Sequence, residues 1–485
     1  MNTLVLDIGS SSARAILFDE ELRDIAEVSR SYQFSTTPPG ASEIDAEQLR
    51  HITENCLDKI LSHPAAQNIG VVGLTSFGGN LVALDAQGRA LTPVYTYADT
   101  RSADDVEHLR RLIDPAATHQ RVGVMHHTAY WPGRIAWIQR THPQIYAQTS
   151  AWLDFGAYLM RHWFGEAVSS YSVAAWNGVL NRAKLTWDDE WLEILQLDRA
   201  HLPELADYDR LRIGLTPDYA TRWPALRNVP VTLVVGDGAA ANIGVGAIGN
   251  QRLALTIGTT AALRIVINQI GQIPPVPDGL WSYRVNAPNH LIGGATSEGG
   301  NIFQWARQTL HLDPATLEAE LMGREADAHG LSFVPLLNGE RSPGWWANAT
   351  GGVVGLRLST TPLDILQAAL EGVAIRISVI ADQLKPLMHP GAEVIGGGGA
   401  LAASPAWAQT ICNALSLPLN LTAEKEVTAR GMAILARAAA DRGQLDDFPP
   451  TITHTLLPDP EAVQRLRAAR ERQSALYHYM RGTQL

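Results

Sequence analysis

Apolar and polar positions in this chain alternate between two periods, and the changes of period mark its elements. The run Leu4-Val5-Leu6 reads as a buried strand that bends at a few small polar residues and returns as Ala13 to Phe18. Thr3–Phe18 and Ile25–Tyr32 make the first strand pair, followed by a turn at Pro38-Pro39-Gly40. A helix is predicted from near Asp45, because Leu49, Ile52, Cys56, Leu57 and Ile60 recur at three- and four-residue spacing and form one apolar face. Ile69 to Leu74 reads as a short buried strand, and Leu81 to Asp85 as another that ends in the turn Ala86-Gln87-Gly88. Residues 105–210 read as mostly helical and rich in tryptophan, with an N-cap-like start at Thr186-Trp187-Asp188.

The pattern resets near Val231. Val231 to Val235 is a buried strand that ends in Gly236-Asp237-Gly238, and a small-residue helix is predicted over Ala239 to Val245. Leu253 to Ile257 then enters the turn Gly258-Thr259-Thr260 and continues as Ala261 to Ile265. This copies the opening hairpin: strand, glycine with hydroxyl residues, strand. Val394-Ile395 reads as a further strand that runs into Gly396-Gly397-Gly398-Gly399-Ala400, with a helix after it carrying Trp407, Ile411 and Ala414 on one face. Pro460 to Tyr479 is an arginine-rich amphipathic helix, read as packed on the surface. No short repeat period is visible, so the expected architecture is a duplicated α/β domain, residues 1–246 and 247–485.

Composition narrows the class without changing that picture. At 485 residues, 46% hydrophobic and 18% charged, the chain has the make-up of a globular protein of two or more domains. A formal net charge of -11 argues against a nucleic-acid binder, which needs basic surface to displace counterions. Cys56 and Cys412 lie far apart in helix-like segments and read as small core residues with no disulfide framework. No apolar run reaches the ~20 residues that span a bilayer, and no basic leader precedes an apolar core, so no membrane association and a cytoplasmic location are expected.

The candidate chemistry sits in the bends. Asp7-Ile8-Gly9-Ser10-Ser11-Ser12-Ala13-Arg14 places a carboxylate at a strand end, then amides and hydroxyls suited to phosphate oxygens, then an arginine. Asp7 suits a magnesium ion held through water, since that ion prefers oxygen ligands. A plain hairpin turn reads the same residues equally well, and the two readings are compatible. The turns at Gly9 and Gly258 could together grip a nucleotide's phosphates from both sides. The glycine run before Ala400 would let a flat ring approach the backbone, or it is a flexible loop; its spacing matches neither a Walker loop nor a dinucleotide fingerprint. Asp237, between two glycines at a strand end, is the candidate base for phosphoryl transfer, or else a turn aspartate. Thr96 to Arg101 and Gly339 to Pro343 each combine a charged pair with turn residues and read as ion pairs bracing a loop. Trp345-Trp346 reads as cleft wall or core. His126-His127 lacks companions at metal-ligand spacing, and no Gly-x-Ser-x-Gly elbow for serine hydrolysis is present.

In this order, the pieces resemble the FGGY family of carbohydrate kinases. The resemblance covers nearly the whole chain: Asp7 to Arg14, Tyr130 to Trp137, Gly236-Asp237-Gly238, Gly258-Thr259-Thr260, Gly339 to Trp345, Leu370-Glu371-Gly372-Val373 and the glycine run. It implies two duplicated actin/hexokinase-like (ribonuclease H-like) α/β domains with a cleft between them, ATP and Mg2+ as cofactors, and a small sugar or sugar acid as partner. It implies that Asp237 is the catalytic base and that Asp7 attends the metal. Gly9, Ser10, Ser11, Ser12, Arg14, Gly258, Thr259 and Thr260 would hold phosphates, and Gly397, Gly398, Gly399 and Ala400 the adenosine. Substrate is expected near Ser76, Gly78, Asn80, Asp99, Arg101 and Asp237. Glu340 to Pro343, Asn348-Ala349, Tyr171 to Ala174 and Glu426 to Gly431 look like the gluconokinase branch, which makes gluconate the expected acceptor. Xylulose or a deoxyketose is the alternative, because Thr75 to Asn80 has Gly79-Asn80 where a Met-His pair is common. Glu298 would add a carboxylate unfavourable to an acidic sugar, and Arg134 replaces the lysine usual in its stretch. A reading of another class is an actin-like nucleotide switch that binds a protein. A homodimer is expected from numerous surface tryptophans.

Overall fold

The computed structural model describes residues 1–268 and 273–482. Its first half is built on a five-stranded sheet. Strand β1 (Asn2–Ile8) pairs antiparallel with β2 (Ser12–Phe18), with Asp7 opposite Arg14, and β2 pairs antiparallel with β3 (Asp24–Ser31). Helix α1 (Ala46–Ile60) starts where Asp45 accepts the Gln48 N–H, and its predicted apolar face is buried. Strand β4 (Ile69–Ser76) joins β1 in parallel. After a long insertion that contains helix α2 (Tyr171–Asn177), β5 (Val231–Gly236) joins β4 in parallel and runs directly into helix α3 (Asp237–Gly244). The sheet order is β5-β4-β1-β2-β3.

The second half repeats this order. Strand β6 (Arg252–Ile257) pairs antiparallel with β7 (Ala261–Asn268); then come β8 (Trp281–Arg284) and β9 (Asn289–Thr296), with β9 antiparallel to β7. Helix α4 (Gly300–Thr309) and the 23-residue α5 (Pro362–Leu384), opened by a Thr361/Asp364 capping box, lead to β10 (Glu393–Gly397) beside β6. Then come α6 (Gly399–Ala403), α7 (Pro405–Leu415), β11 (Leu419–Thr422), α8 (Val427–Ala439), β12 (Ile452–Leu456) and α9 (Pro460–Met480). The sheet order is β8-β9-β7-β6-β10-β11-β12. Without its edge strands β8 and β12, it has the first sheet's pattern of two antiparallel and two parallel neighbours.

One helix crosses between the halves of the repeat. Helix α8 comes from the second half of the sequence, yet Met432, Ala433 and Ala436 share a core with Val5 and Val71 of the first sheet. It crosses α3 at a backbone-to-backbone contact. A Cβ on Gly244 would stand 1.8 Å from the Val427 carbonyl oxygen, and one on Gly431 would stand 1.8 Å from that of Ala240.

Several expectations need revision. Helix α3 begins at Asp237, two residues earlier than predicted, so Asp237 is its first helical residue rather than part of a loop. Gly236, still extended, gives its N–H to the Ser172 hydroxyl at 3.1 Å, which fixes the strand-to-helix corner. Residues 105–210 carry helices interleaved with the short strands Ala151–Leu153, Val168–Ser170 and Leu180–Asn181. None of the 13 tryptophans is exposed; nine are buried and four half-buried. Their apolar area packs internally, so the surface argument for a homodimer falls away. Among the described residues, no helix is long and apolar enough to cross a membrane.

Candidate active site

The two sheets face a shared crevice of about 710 Å³. Gly78, Tyr97 and Asp237 come to it from the first half, and Thr259, Arg264 and Arg341 from the second. Asp237 enters at the first turn of α3, where the helix dipole favours a carboxylate. Its Oδ1 accepts the Gly238 N–H at 2.7 Å. Burial pushes its pKa up to about 6, Asp7 adds to the rise and Arg264 opposes it. The group is thus ionised at neutral pH while staying close enough to it to accept a proton in a reaction.

Asp7 ends β1 with its carboxylate buried, 2.5 Å from the Arg14 guanidinium. Burial raises its pKa and Arg14 opposes the rise. The same Arg14 reaches Glu426 at the N-cap of α8, so one guanidinium ties the first hairpin to the second half of the chain. The bend itself closes through Gly9 N–H to the Ser12 carbonyl at 2.9 Å, and it leaves Ser10 and Ser11 exposed. The second hairpin closes in the same way, Gly258 N–H to the Thr260 carbonyl at 3.0 Å. Thr259 and Thr260 line the crevice, whereas no residue of the Gly9 to Ser12 bend does.

The glycine run serves two purposes. Gly396 and Gly397 are the end of β10, and Gly398 sits at φ +109° with no room for a side chain, since a Cβ would stand 2.3 Å from the Ile257 carbonyl oxygen. Gly399, by contrast, opens onto empty space. Ala400 lines a second cavity of about 400 Å³ with Gly300, Phe303 and Arg307. Only the Gly399-Ala400 end of the run is therefore free to meet a ligand.

The expected substrate contacts also divide. Gly78 and Asp237 line the crevice; Ser76, Asn80, Asp99 and Arg101 do not. The Ser76 hydroxyl bonds the Phe77 carbonyl. Asn80 gives its amide to the same carbonyl at 2.6 Å and accepts the Phe155 N–H at 2.6 Å. Asp99 accepts the Ser42 N–H and holds Arg101, which also pairs with Glu43 and lies 4.7 Å over the Trp137 ring. These four side chains build the wall behind the crevice, as the ion-pair reading of Thr96 to Arg101 anticipated.

The second charged pair splits. Glu340 is buried and spent on Arg376 and the Tyr477 hydroxyl. Arg341 lines the crevice, and its guanidinium has no hydrogen-bond or ion-pair partner among the described residues. Arg264 was not singled out from the sequence, although a lone arginine inside the apolar run Ala261 to Ile265 was the available signal. It is half-buried near Asp237, and the one hydrogen bond of its guanidinium is a long contact of 3.4 Å to the Thr256 hydroxyl. Glu298 lies outside the crevice, where its carboxylate accepts the Asn338 N–H at 2.8 Å. Trp345 is crevice wall and Trp346 packs on Tyr477, so both readings of that pair hold, one for each residue.

Residues 2–244 match the sequence profile of the N-terminal domain of the FGGY family of carbohydrate kinases, and residues 253–440 match that of its C-terminal domain. The gluconokinase of Bacillus subtilis (strain 168) is 26% identical over 92% of this chain and 88% of its own length. The xylulose kinase of Escherichia coli (strain K12) is 27% identical over 98% of each chain. The crystal structure of a gluconate kinase from Lactobacillus acidophilus superposes with a TM-score of 0.92 at 24% identity, over 99% of this chain and 98% of that one. The fold is therefore of the α/β actin/hexokinase type.

Proposed function

The chain belongs to the FGGY family of carbohydrate kinases and is an ATP-dependent phosphotransferase; from that premise we propose that its acceptor is a sugar acid, with gluconate as the best candidate. The observation that carries this reading is the pair of arginines, Arg264 and Arg341, which share the crevice with Asp237 and have no carboxylate at salt-bridge distance. Cations left unpaired in a partly dry crevice favour an anionic ligand, and a guanidinium matches a carboxylate with two parallel hydrogen bonds. Glu298, the feature that spoke against an acidic sugar, is turned away, and burial raises its pKa to about 7. The gluconokinase relative supports the same acceptor.

In this reading Asp237 accepts the proton of the attacking hydroxyl as its O–H bond breaks, the freed oxygen bonds the γ-phosphorus of ATP, and the bond to ADP breaks. Thr259 and Thr260 offer hydroxyls and amides to the phosphates, and the empty space at Gly258 and Gly399 lets a nucleotide lie against the backbone. Ala400 and its cavity take the adenosine end. The donor set near Asp7 fits Mg2+: one buried and one half-buried carboxylate, each raised by desolvation, offer hard oxygen ligands. When bound there, the ion supplies charge neutralisation to the phosphates. Asp7 keeps Arg14 oriented toward Glu426, which holds the bend in place.

A coupled assay for ADP release across gluconate, D-xylulose, glycerol and a deoxyketose tests the proposal. Gluconate should give the largest kcat/KM. A preference for xylulose would shift the acceptor to the second reading, which the full-length match to the xylulose kinase favours.

A further inference from the structure

We propose that Trp176 sets the size of acceptor that fits beside Asp237, so that it determines specificity at the reacting end of the substrate. The inference rests on the proposed function, since it takes Asp237 as the point where the hydroxyl reacts.

Trp176 is the penultimate residue of α2, and its place is fixed from several sides. The helix is capped by Ser170, which accepts the Val173 N–H, and it is pinned to the end of β5 by the Ser172 hydroxyl. The indole then lies against three glycines. A Cβ on Gly78 would stand 2.2 Å from its Cε3, one on Gly236 would stand 2.8 Å from its Nε1, and one on Gly238 would stand 3.0 Å from its Cη2. Two of these are the immediate neighbours of Asp237. Space on both flanks of the carboxylate is thus given to the ring, and a side chain at any of the three positions would expel it.

The second half of the chain holds the ring as well. Trp176 stacks on Tyr283 with centroids 4.1 Å apart and an 18° tilt, and Tyr283 stacks in turn on Trp281 at 4.4 Å. The Tyr283 hydroxyl bonds that of Tyr130 at 2.8 Å. A ring clamped by the backbone of one half and the aromatic stack of the other has no rotamer to escape into. All three rings line the crevice, and the Trp176 indole N–H is buried without a partner. An acceptor that brings a hydroxyl to Asp237 therefore meets a rigid apolar edge next to its reacting carbon. Carbons beyond that point have nowhere to go, so the ring favours acceptors whose reacting hydroxyl is at the end of the chain.

The test compares full-length wild type, Trp176→Ala, Trp176→Phe and Asp237→Asn on acceptor pairs that differ by one carbon: D-gluconate with D-glucoheptonate, and D-xylulose with D-fructose. Trp176→Ala should raise the kcat/KM ratio of the longer over the shorter acceptor at least about tenfold, the order of effect of one methylene in a pocket. The KM for ATP should stay within about twofold, a split that a general loss of structure would not give. Trp176→Phe should fall between the two, and it carries the test if the alanine variant fails to fold. An unchanged ratio in a folded variant, or a KM for ATP that rises in step with that of the acceptor, overturns the proposal. Wild type inactive on every acceptor, or Asp237→Asn fully active, overturns the underlying reading and this inference with it. An active wild type, a dead Asp237→Asn and an unchanged ratio overturn the inference alone.

Discussion

The two hairpins share their strand order but place their arginines against different partners. In the first, Arg14 of β2 faces Asp7 of β1 and is neutralised by that carboxylate and by Glu426. In the second, Arg264 of β7 lies opposite Ala254 of β6 and reaches diagonally to the Thr256 hydroxyl at 3.4 Å. Each bend closes through its glycine N–H, to the Ser12 carbonyl in the first and the Thr260 carbonyl in the second, yet the first arginine is bound into ion pairs and the second is left without one. A carboxylate within reach makes a guanidinium a brace, because an ion pair satisfies both charges and a long contact to a hydroxyl leaves the cation uncompensated.

That contrast can be tested, starting where the expected loss is largest. Asp237→Asn removes the proposed base and should lower kcat by roughly 10²–10⁴-fold, the usual weight of a positioned general base. The native carboxyl binds its proton more tightly than an unfolded aspartate, so between the usual aspartate range and about pH 6 this group makes the fold less stable as pH rises. The variant should therefore melt no lower than wild type at pH 7, while wild-type kcat/KM should fall as pH drops through about 6. Calorimetry and a pH–rate profile check both.

Next comes Arg341→Gln. It should raise the KM for gluconate roughly tenfold to a hundredfold, the worth of a charge-assisted hydrogen bond of about 1.5–3 kcal/mol, and leave the KM for a neutral ketose unchanged. Equal effects on both acceptors would show that Arg341 does not read charge. Thr256→Asp carries the first hairpin's chemistry into the second. By neutralising Arg264 it should cost roughly tenfold in kcat/KM for the acid, the effect of about 1.4 kcal/mol, and unchanged kinetics would place Arg264 outside the ligand's reach. The smallest effect belongs to Glu426→Gln. It leaves Arg14 with Asp7 and breaks a pair whose carboxylate is about one-third exposed, so unfolding free energy should fall by no more than about 1 kcal/mol, read from denaturant melts.

Much of this was legible along the chain because it depends on local pattern. The duplicated hairpins, the helix face of Leu49 to Ile60 and the strand ahead of Asp237 all follow from periodicity and turn chemistry acting over a few residues. Glycine is where local reading fails, since one residue type serves several ends. Gly398 and Gly399 are neighbours, but one is closed by the Ile257 carbonyl and the other is open to a ligand. Gly236 and Gly238 read as loop residues on either side of an aspartate, yet they make room for an indole that comes from sixty residues earlier. The charged pairs fail for a related reason: Glu340 and Arg341 are adjacent in sequence, but successive side chains point different ways, one to Arg376 and the other into the crevice.

The order of strands, the doubled hairpins and the strand-to-helix corner that carries Asp237 are properties of the sequence itself, because each arises from residues that are near neighbours along the chain. Which arginine keeps its charge, which glycine faces a ligand and which tryptophan stands beside Asp237 were decided only by folding. Those outcomes depend on what segments distant along the chain bring within a few ångströms, as Trp176 does beside Gly236 and Ile257 beside Gly398, and such contacts leave no local trace in the sequence.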